Sequence, residues 1–188
     1  MSMYHEGQRE LQDRYEGRAV ADQLEKHRWH NVFTDEDKEF IETAPFFFLA
    51  TAWQDHVDCS IKGGIPGFVR VIAPNVIVWP DYDGNRMYRS LGNLQRNSAV
   101  GLLFLKFDAK STLLRINGHA QIDENPDVIR DIPGAKRLIR VVAQNIFYNC
   151  PRYVPNMELI EESLYSPRSN YTPPDPEWKS RDYIKEVL

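Results

Sequence analysis

Phe46-Phe47-Phe48-Leu49-Ala50-Thr51-Ala52-Trp53 is a short apolar run rich in aromatic residues, a composition that suits a buried strand better than a helix. Gln54-Asp55-His56 then turns the chain into a second strand, Val57 to Ile61. Beyond a glycine-proline turn come Phe68 to Ala73 and Val76 to Trp79, joined by Ala73-Pro74-Asn75. Parallel strands need crossover connections that these short links cannot hold, so the run predicts an antiparallel meander and argues against a parallel sheet.

Further along, Ala99 to Phe107 is almost wholly apolar and reads as a central strand. Thr112 to Ile122 alternates Leu114, Ile116, Ala120 and Ile122 with Arg115, Asn117, His119 and Gln121, the pattern of a half-exposed strand. Arg137 to Tyr148 adds another, with Ile139, Val141, Ala143 and Phe147 on one face. Six or more antiparallel strands with few helices predict a mainly β (β+α) fold, a closed or split barrel with peripheral helices.

Three regions follow: an N-terminal helical arm (1–44), the barrel core (45–150) and a C-terminal extension (151–188). In the arm, Leu11, Tyr15, Val20 and Leu24 are too sparse for a core helix, so the segment is expected to pack on another surface. Thr34 followed by Asp35, Glu36 and Asp37 marks a helix start that should end before Pro45. Asn85 to Asn97 is predicted as one helix capped by Gly84-Asn85, and Asn125-Pro126-Asp127 opens a short helical turn. A weak helix is expected near Met157 to Leu164. The proline-rich tail should then run extended over a surface that covers Tyr165, Trp178 and Tyr183.

With 188 residues, 42% of them hydrophobic, the chain has enough material for one good core. A net charge of −4 argues against a general nucleic-acid or anionic-membrane surface, so any basic site must be local. Two cysteines, no secretory signature and no long apolar span predict a cytoplasmic protein. The sequon at Asn170 is then incidental. His27 and His30 have no third ligand nearby, and no metal site is expected.

The candidate site is an anion grip. Ser60-Ile61-Lys62-Gly63-Gly64 and Pro66-Gly67-Phe68-Val69-Arg70 set cations beside glycines, which let a backbone approach a phosphate closely. Asp83-Gly84-Asn85-Arg86 places Arg86 in the first turn of the predicted helix, where a cation is unfavourable unless an anion lies between it and the dipole. Arg115 and His119 sit on a polar strand face, where solvation, an interface and ligand contact all remain open. Trp79 and Phe104 read as core, and Cys150 as a small buried residue.

Taken in order, Phe48-Leu49-Ala50-Thr51-Ala52, Ser60-Ile61-Lys62-Gly63-Gly64, Pro66-Gly67-Phe68-Val69-Arg70, Gly84-Asn85-Arg86, Gly101-Leu102-Leu103-Phe104 and Leu114-Arg115-Ile116-Asn117-Gly118 resemble the pyridoxamine 5′-phosphate oxidase-like family of FMN-binding split barrels. The likeness spans roughly Phe46 to Cys150. It implies a homodimer with FMN at the subunit interface, and it matches Arg86 to the family's phosphate-binding arginine. Asn85 and Met87 replace the serine and lysine that flank that arginine in the true oxidase. The oxidase's Arg-x-Val-Leu-Leu-Lys strand and C-terminal tryptophan-arginine segment are missing, so the resemblance is to the general branch and carries no substrate.

The expected cofactor-binding set is Ser60, Lys62, Gly63, Arg70, Asn85, Arg86, Arg115, Asn117 and Arg152, with no catalytic residue assigned. The substrate side is expected around Asn149 to Tyr153 and the Arg115, Asn117 and His119 face. Two functions stay open: an FMN-dependent oxidoreductase acting on a small molecule, and a barrel that holds a flavin or tetrapyrrole without turnover.

Overall fold

The computed structural model describes residues 2–106 and 111–188. Helices α1 (Glu6–Arg14) and α2 (Arg18–Arg28) lead through a two-residue strand β1 (Trp29–His30) to helix α3 (Asp35–Thr43). The meander follows as β2 (Phe46–Trp53), β3 (His56–Gly63), β4 (Arg70–Ala73) and β5 (Val76–Asp81). Helix α4 (Arg89–Leu94), β6 (Ala99–Lys106), β7 (Thr112–Asp123), helix α5 (Pro126–Ile129) and β8 (Arg137–Asn149) complete the barrel. The tail carries a 3-10 turn (Glu177–Ser180) and one helical turn, α6 (Asp182–Lys185). Phe107, the predicted end of the central strand, lies outside the described residues.

Among the described residues every strand pairing is antiparallel, in the order β3-β2-β6-β7-β8-β5-β4, with β1 paired to β8 beside Ile146 and Phe147. β3 and β4 end the order without pairing to one another, and this is the opening of a split β-barrel. Period-two alternation sends Phe47 and Leu49 of β2, Leu102 and Phe104 of β6, and Leu114 and Ile116 of β7 into the core. Trp79 and Phe104 close on Phe47, with ring centroids 5.0 and 4.8 Å away. Truncating a ring packed this way costs about 3–5 kcal/mol.

Gly118 allows the register shift between β7 and β8, because a Cβ there would stand 2.2 Å from the Val142 carbonyl oxygen. Helix α3 starts as predicted. The Thr34 hydroxyl accepts from the Asp37 N–H at 3.1 Å, and the Asp37 carboxylate accepts from the Thr34 N–H at 2.9 Å, a reciprocal cap.

Three elements differ from the sequence prediction. β4 begins at Arg70 rather than Phe68, because Ile65 to Phe68 form a turn closed by a Phe68 N–H bond to the Ile65 carbonyl, with Gly67 at φ +93°. The predicted helix from Asn85 is cut to Arg89–Leu94. Arg86 and Tyr88 adopt left-handed backbone at φ 61° and 51°, and Asn85 Oδ1 accepts from the Met87 N–H in a side-chain turn. Arg86 therefore lies in a loop, and the expectation built on a helix dipole at its position does not hold. Residues 157–164 are irregular and exposed rather than helical, and the Leu164 carbonyl accepts from the Tyr171 hydroxyl at 2.8 Å within the tail.

Helices α1 and α2 form a hairpin stapled by Arg9 to Asp22 (2.6 Å) and to Glu25 (3.1 Å). Its apolar residues face outward, with Tyr15 74% and Val20 63% exposed. Beyond the hairpin, His30 Nε2 lies 2.7 Å from Asp37 Oδ2, which also accepts from the Thr34 hydroxyl at 2.9 Å. Burial pushes the Asp37 carboxyl up, but the Thr34 N–H, His30, Tyr148 and the Thr34 hydroxyl outweigh it and hold it below the ordinary carboxylate value. Tyr148 is pushed in the opposite direction by burial and by the Asp37 charge, although its hydroxyl and Asp37 Oδ1 complete no hydrogen bond.

Candidate functional site

Strand β3 positions the site. Cross-strand register sets Asp58 opposite Thr51, Ser60 opposite Leu49 and Lys62 opposite Phe47, on the side of β2 that turns inward. Helix α4 packs onto that side. The Asn93 amide donates to Thr51 Oγ1 at 3.2 Å and to the His56 carbonyl at 3.0 Å, and Ser90 Oγ lies 3.0 Å from Ser60 Oγ. Asp58 receives the Ser90 hydroxyl at 2.7 Å and Arg89 Nε at 3.0 Å. Burial pushes its carboxyl up, yet the Ser90 and Arg89 bonds and the charges of Arg89 and Lys62 bring it below the usual range.

A cleft of about 680 Å³ opens between β3, the loop preceding α4, and the start of β8. Its wall brings together four residues singled out in the sequence, Ser60, Lys62, Asn85 and Arg86, and adds Arg89, Lys136 and Arg137. Arg89 is tied to Asp58, while Arg137 is tied to Asp81 at 2.8 Å and to Glu124 at 3.3 Å. Lys62, Arg86 and Lys136 make no ion pair or side-chain hydrogen bond among the described residues. Cations that line one cleft without being held in an ion pair are the donor set of an anion site.

A second cleft of about 600 Å³ adjoins the first and shares Ile61, Lys62 and Asp81 to Gly84 with it. Pro45, Phe46, Phe68 and Pro80 give it an apolar floor, and Leu159, Glu161, Glu162 and Tyr165 of the tail line its other side. The tail is pinned there by Lys179 Nζ on Asp83 at 2.9 Å. That bond first, and then the charges of Lys179, Lys136 and Arg86, hold the Asp83 carboxyl low against the opposing effect of burial. Burial raises the Tyr82 phenol at the join of the two clefts.

Gly63 lines the second cleft, but the glycine run does not present a ring of free N–H groups. Gly64 donates to the Pro45 carbonyl at 3.0 Å and packs on Phe68, and Gly67 donates to the Glu42 carbonyl at 2.6 Å. Arg70 is exposed on edge strand β4 and lines neither cleft. Arg115, Asn117 and His119 lie on the outward side of β7, and Arg152 stands exposed in the turn after β8, all four outside both clefts. Residues of the tail segment Leu159 to Pro167 line the second cleft, and Asn149 to Tyr153 line neither. Lys136 and Arg137 were legible only as a basic pair opening a strand, a signal that says nothing without the register to Asp81.

The other side of the same strands is apolar and open. Phe48 lies opposite Ile61 on one side and Leu103 on the other, and Ala50 lies opposite Cys59 and Gly101. Val57 is 67% and Ile61 61% exposed, and Cys59 and Cys150 are both exposed free thiols, so Cys150 is not the buried residue expected.

A split barrel whose open edge strand carries a basic cleft defines a recognisable class. The family model described as pyridoxamine 5′-phosphate oxidase matches residues 33–161, and the chain belongs to that family. Among solved structures, HupZ of Group A Streptococcus aligns with a TM-score of 0.48 at 14% identity, over 62% of this chain and 93% of that one. An FMN-binding protein from Syntrophomonas wolfei aligns with a TM-score of 0.45 at 12% identity, over 80% and 98%. General Stress Protein 26 from Bacillus anthracis gives 0.44 at 15% identity, over 58% and 87%. No curated protein is significantly similar in sequence. No helix among the described residues is long and apolar enough to cross a membrane, and none of their His, Cys, Asp and Glu side chains group as a metal site.

Proposed function

We propose that the protein is an FMN-dependent oxidoreductase that works as a homodimer. The observation that carries this is the joined pair of clefts, one basic and one with an apolar floor, meeting at Lys62 on the open edge strand. A flavin mononucleotide has the same division, a dianionic phosphate at one end and a flat apolar ring at the other. Lys62 and Arg86 would hold the phosphate, with Ser60 and Asn85 within the same wall. Bound there, the flavin supplies the electron transfer, and the chain supplies orientation and a positive field. Lys62 at the join keeps a cation beside both compartments, and Phe46, Phe68 and Pro80 offer an apolar floor to the ring. No side chain of this chain need act as acid or base.

The dimer follows from the apolar side. Val57, Ile61, Phe48 and Leu103 form a contiguous surface that an isologous partner would cover, and the free edge of β3 borders it. A visible spectrum of the purified protein, followed by anaerobic reduction with NADH or NADPH, tests the assignment. Flavin absorbance that bleaches and returns with air supports an oxidoreductase. A bound flavin that neither reductant bleaches points to a carrier, and failure to bind added FMN removes the reading.

A further inference from the structure

We propose that the second cleft selects an organic cation, a small molecule with a flat apolar body and an ammonium or guanidinium group; the inference rests on the flavin-site reading above and names its substrate class. The two clefts differ in charge. Asp81, Asp83, Glu161 and Glu162 line the second, and Lys62 is the one cation among its lining residues. Two of these carboxylates are already matched, Asp81 by Arg137 at 2.8 Å and Asp83 by Lys179 at 2.9 Å. Glu161 and Glu162 make no ion pair or side-chain hydrogen bond among the described residues, although Lys62 lines the same cleft. Once a flavin phosphate takes Lys62, the charge left on this lining is negative. A cationic group then supplies the missing partner, and an anionic one is repelled.

A buried hydroxyl marks the same place. Ser166 is 8% exposed, lines the cleft and makes no side-chain hydrogen bond among the described residues. Side-chain polar groups buried to this degree are ordinarily bonded, so a polar group of a ligand completes it. The tail that carries Glu161, Glu162 and Ser166 is fixed directly after them. Gly134, at φ +72°, approaches Pro167 so closely that a Cβ there would stand 2.6 Å from the Pro167 Cβ and Cγ, and Lys179 ties the later tail to Asp83. The apolar floor of Phe46, Phe68 and Pro80 belongs to the barrel, whereas the unmatched carboxylates belong to the tail. The barrel side takes the flat body of a ligand, and the tail side reads its charge.

Calorimetric titration of benzylamine, benzyl alcohol and benzoate into the FMN-loaded protein tests this, since the three share a ring and differ in charge. Benzylamine is expected to bind at least about tenfold more tightly than benzoate, with benzyl alcohol between them. Replacing both glutamates, Glu161→Gln with Glu162→Gln, should weaken benzylamine about tenfold and leave benzyl alcohol within about twofold of wild type. Added salt should weaken benzylamine in the wild type and have little effect in that double variant. Ser166→Ala should weaken benzylamine and benzyl alcohol alike, because a hydroxyl bonds either. Melting curves and FMN affinity, expected to match wild type in every variant, separate these losses from a general loss of structure. Benzoate binding as tightly as benzylamine, no binding of any of the three, or a preference for benzylamine that survives the double variant overturns the proposal and leaves the flavin reading intact. Should FMN fail to bind while benzylamine binds the flavin-free protein through the two glutamates, the flavin reading falls and the cation site stands.

Discussion

Strand β3 serves two surfaces with alternate residues. Asp58, Ser60 and Lys62 turn toward α4 and the basic cleft, where hydroxyls, carboxylates and guanidinium groups are linked by short hydrogen bonds. Val57, Cys59 and Ile61 turn the other way, onto an apolar face with no such links. The difference between the faces is one of rigidity. The cleft side is organised within one chain, through the bonds that Asn93 and Ser90 make to β2 and β3, whereas in the proposed dimer the outer side is completed by a second copy. A one-residue slip of β3 would exchange the two surfaces, and the eight-residue register with β2 prevents it.

The comparison breaks most readily at the outer face. Phe48→Glu places a charge in the centre of the apolar side and should raise the dimer dissociation constant at least about hundredfold, the order expected of an unpaired buried charge. Sedimentation would read this as a shift to monomer mass. A wild-type monomer at micromolar concentration, or a variant dimer of unchanged affinity, counts against the second-body reading.

Next in size is the buried anchor between the arm and α3. Asp37→Ala strips acceptors from His30, the Thr34 N–H and the Thr34 hydroxyl, and should cost about 2–4 kcal/mol in urea unfolding. Because Asp37 is held below its unfolded value, its contribution is fully present above about pH 4 and is lost as pH falls through the folded value. The variant should therefore lose less stability than wild type over that acid range. Parallel acid curves for the two proteins would contradict the assignment.

A smaller effect is expected at the inner face. Asn93→Ala removes the bonds from α4 to Thr51 and to the His56 carbonyl, and should cost about 1–2 kcal/mol. FMN affinity should fall with it, since Ser90 and Arg89 are held on the same helix. Loss of stability with untouched FMN affinity would show that the cleft is set by β3 alone.

The strands were legible because their signals are local. Phe46 to Trp53 and Thr112 to Ile122 declare their faces through alternation and composition, and the Thr34 cap announces α3. The loop around Arg86 was not legible, because Asn85 spends its side chain on the Met87 N–H and diverts the backbone before a helix can begin. Lys136 and Arg137 reach the cleft only through the pairing of β8 with β5, a contact between residues far apart in sequence. Arg115 and Arg152 looked equally suitable by charge, yet strand direction places one on the outer face and a turn leaves the other exposed. Residue type pointed to a phosphate grip, and topology decided which cations line one cleft.

The central claim is that this grip takes the phosphate of a flavin, and titration of FMN and riboflavin against wild type and Arg86→Ala tests it most directly. Arg86 is exposed, so its loss should leave folding intact. FMN affinity should drop by about 1.5–3 kcal/mol, the contribution of a hydrogen bond to a charged group, while riboflavin, which lacks the phosphate, changes little. Equal losses for both ligands, or FMN binding wild type no more tightly than riboflavin does, would contradict it.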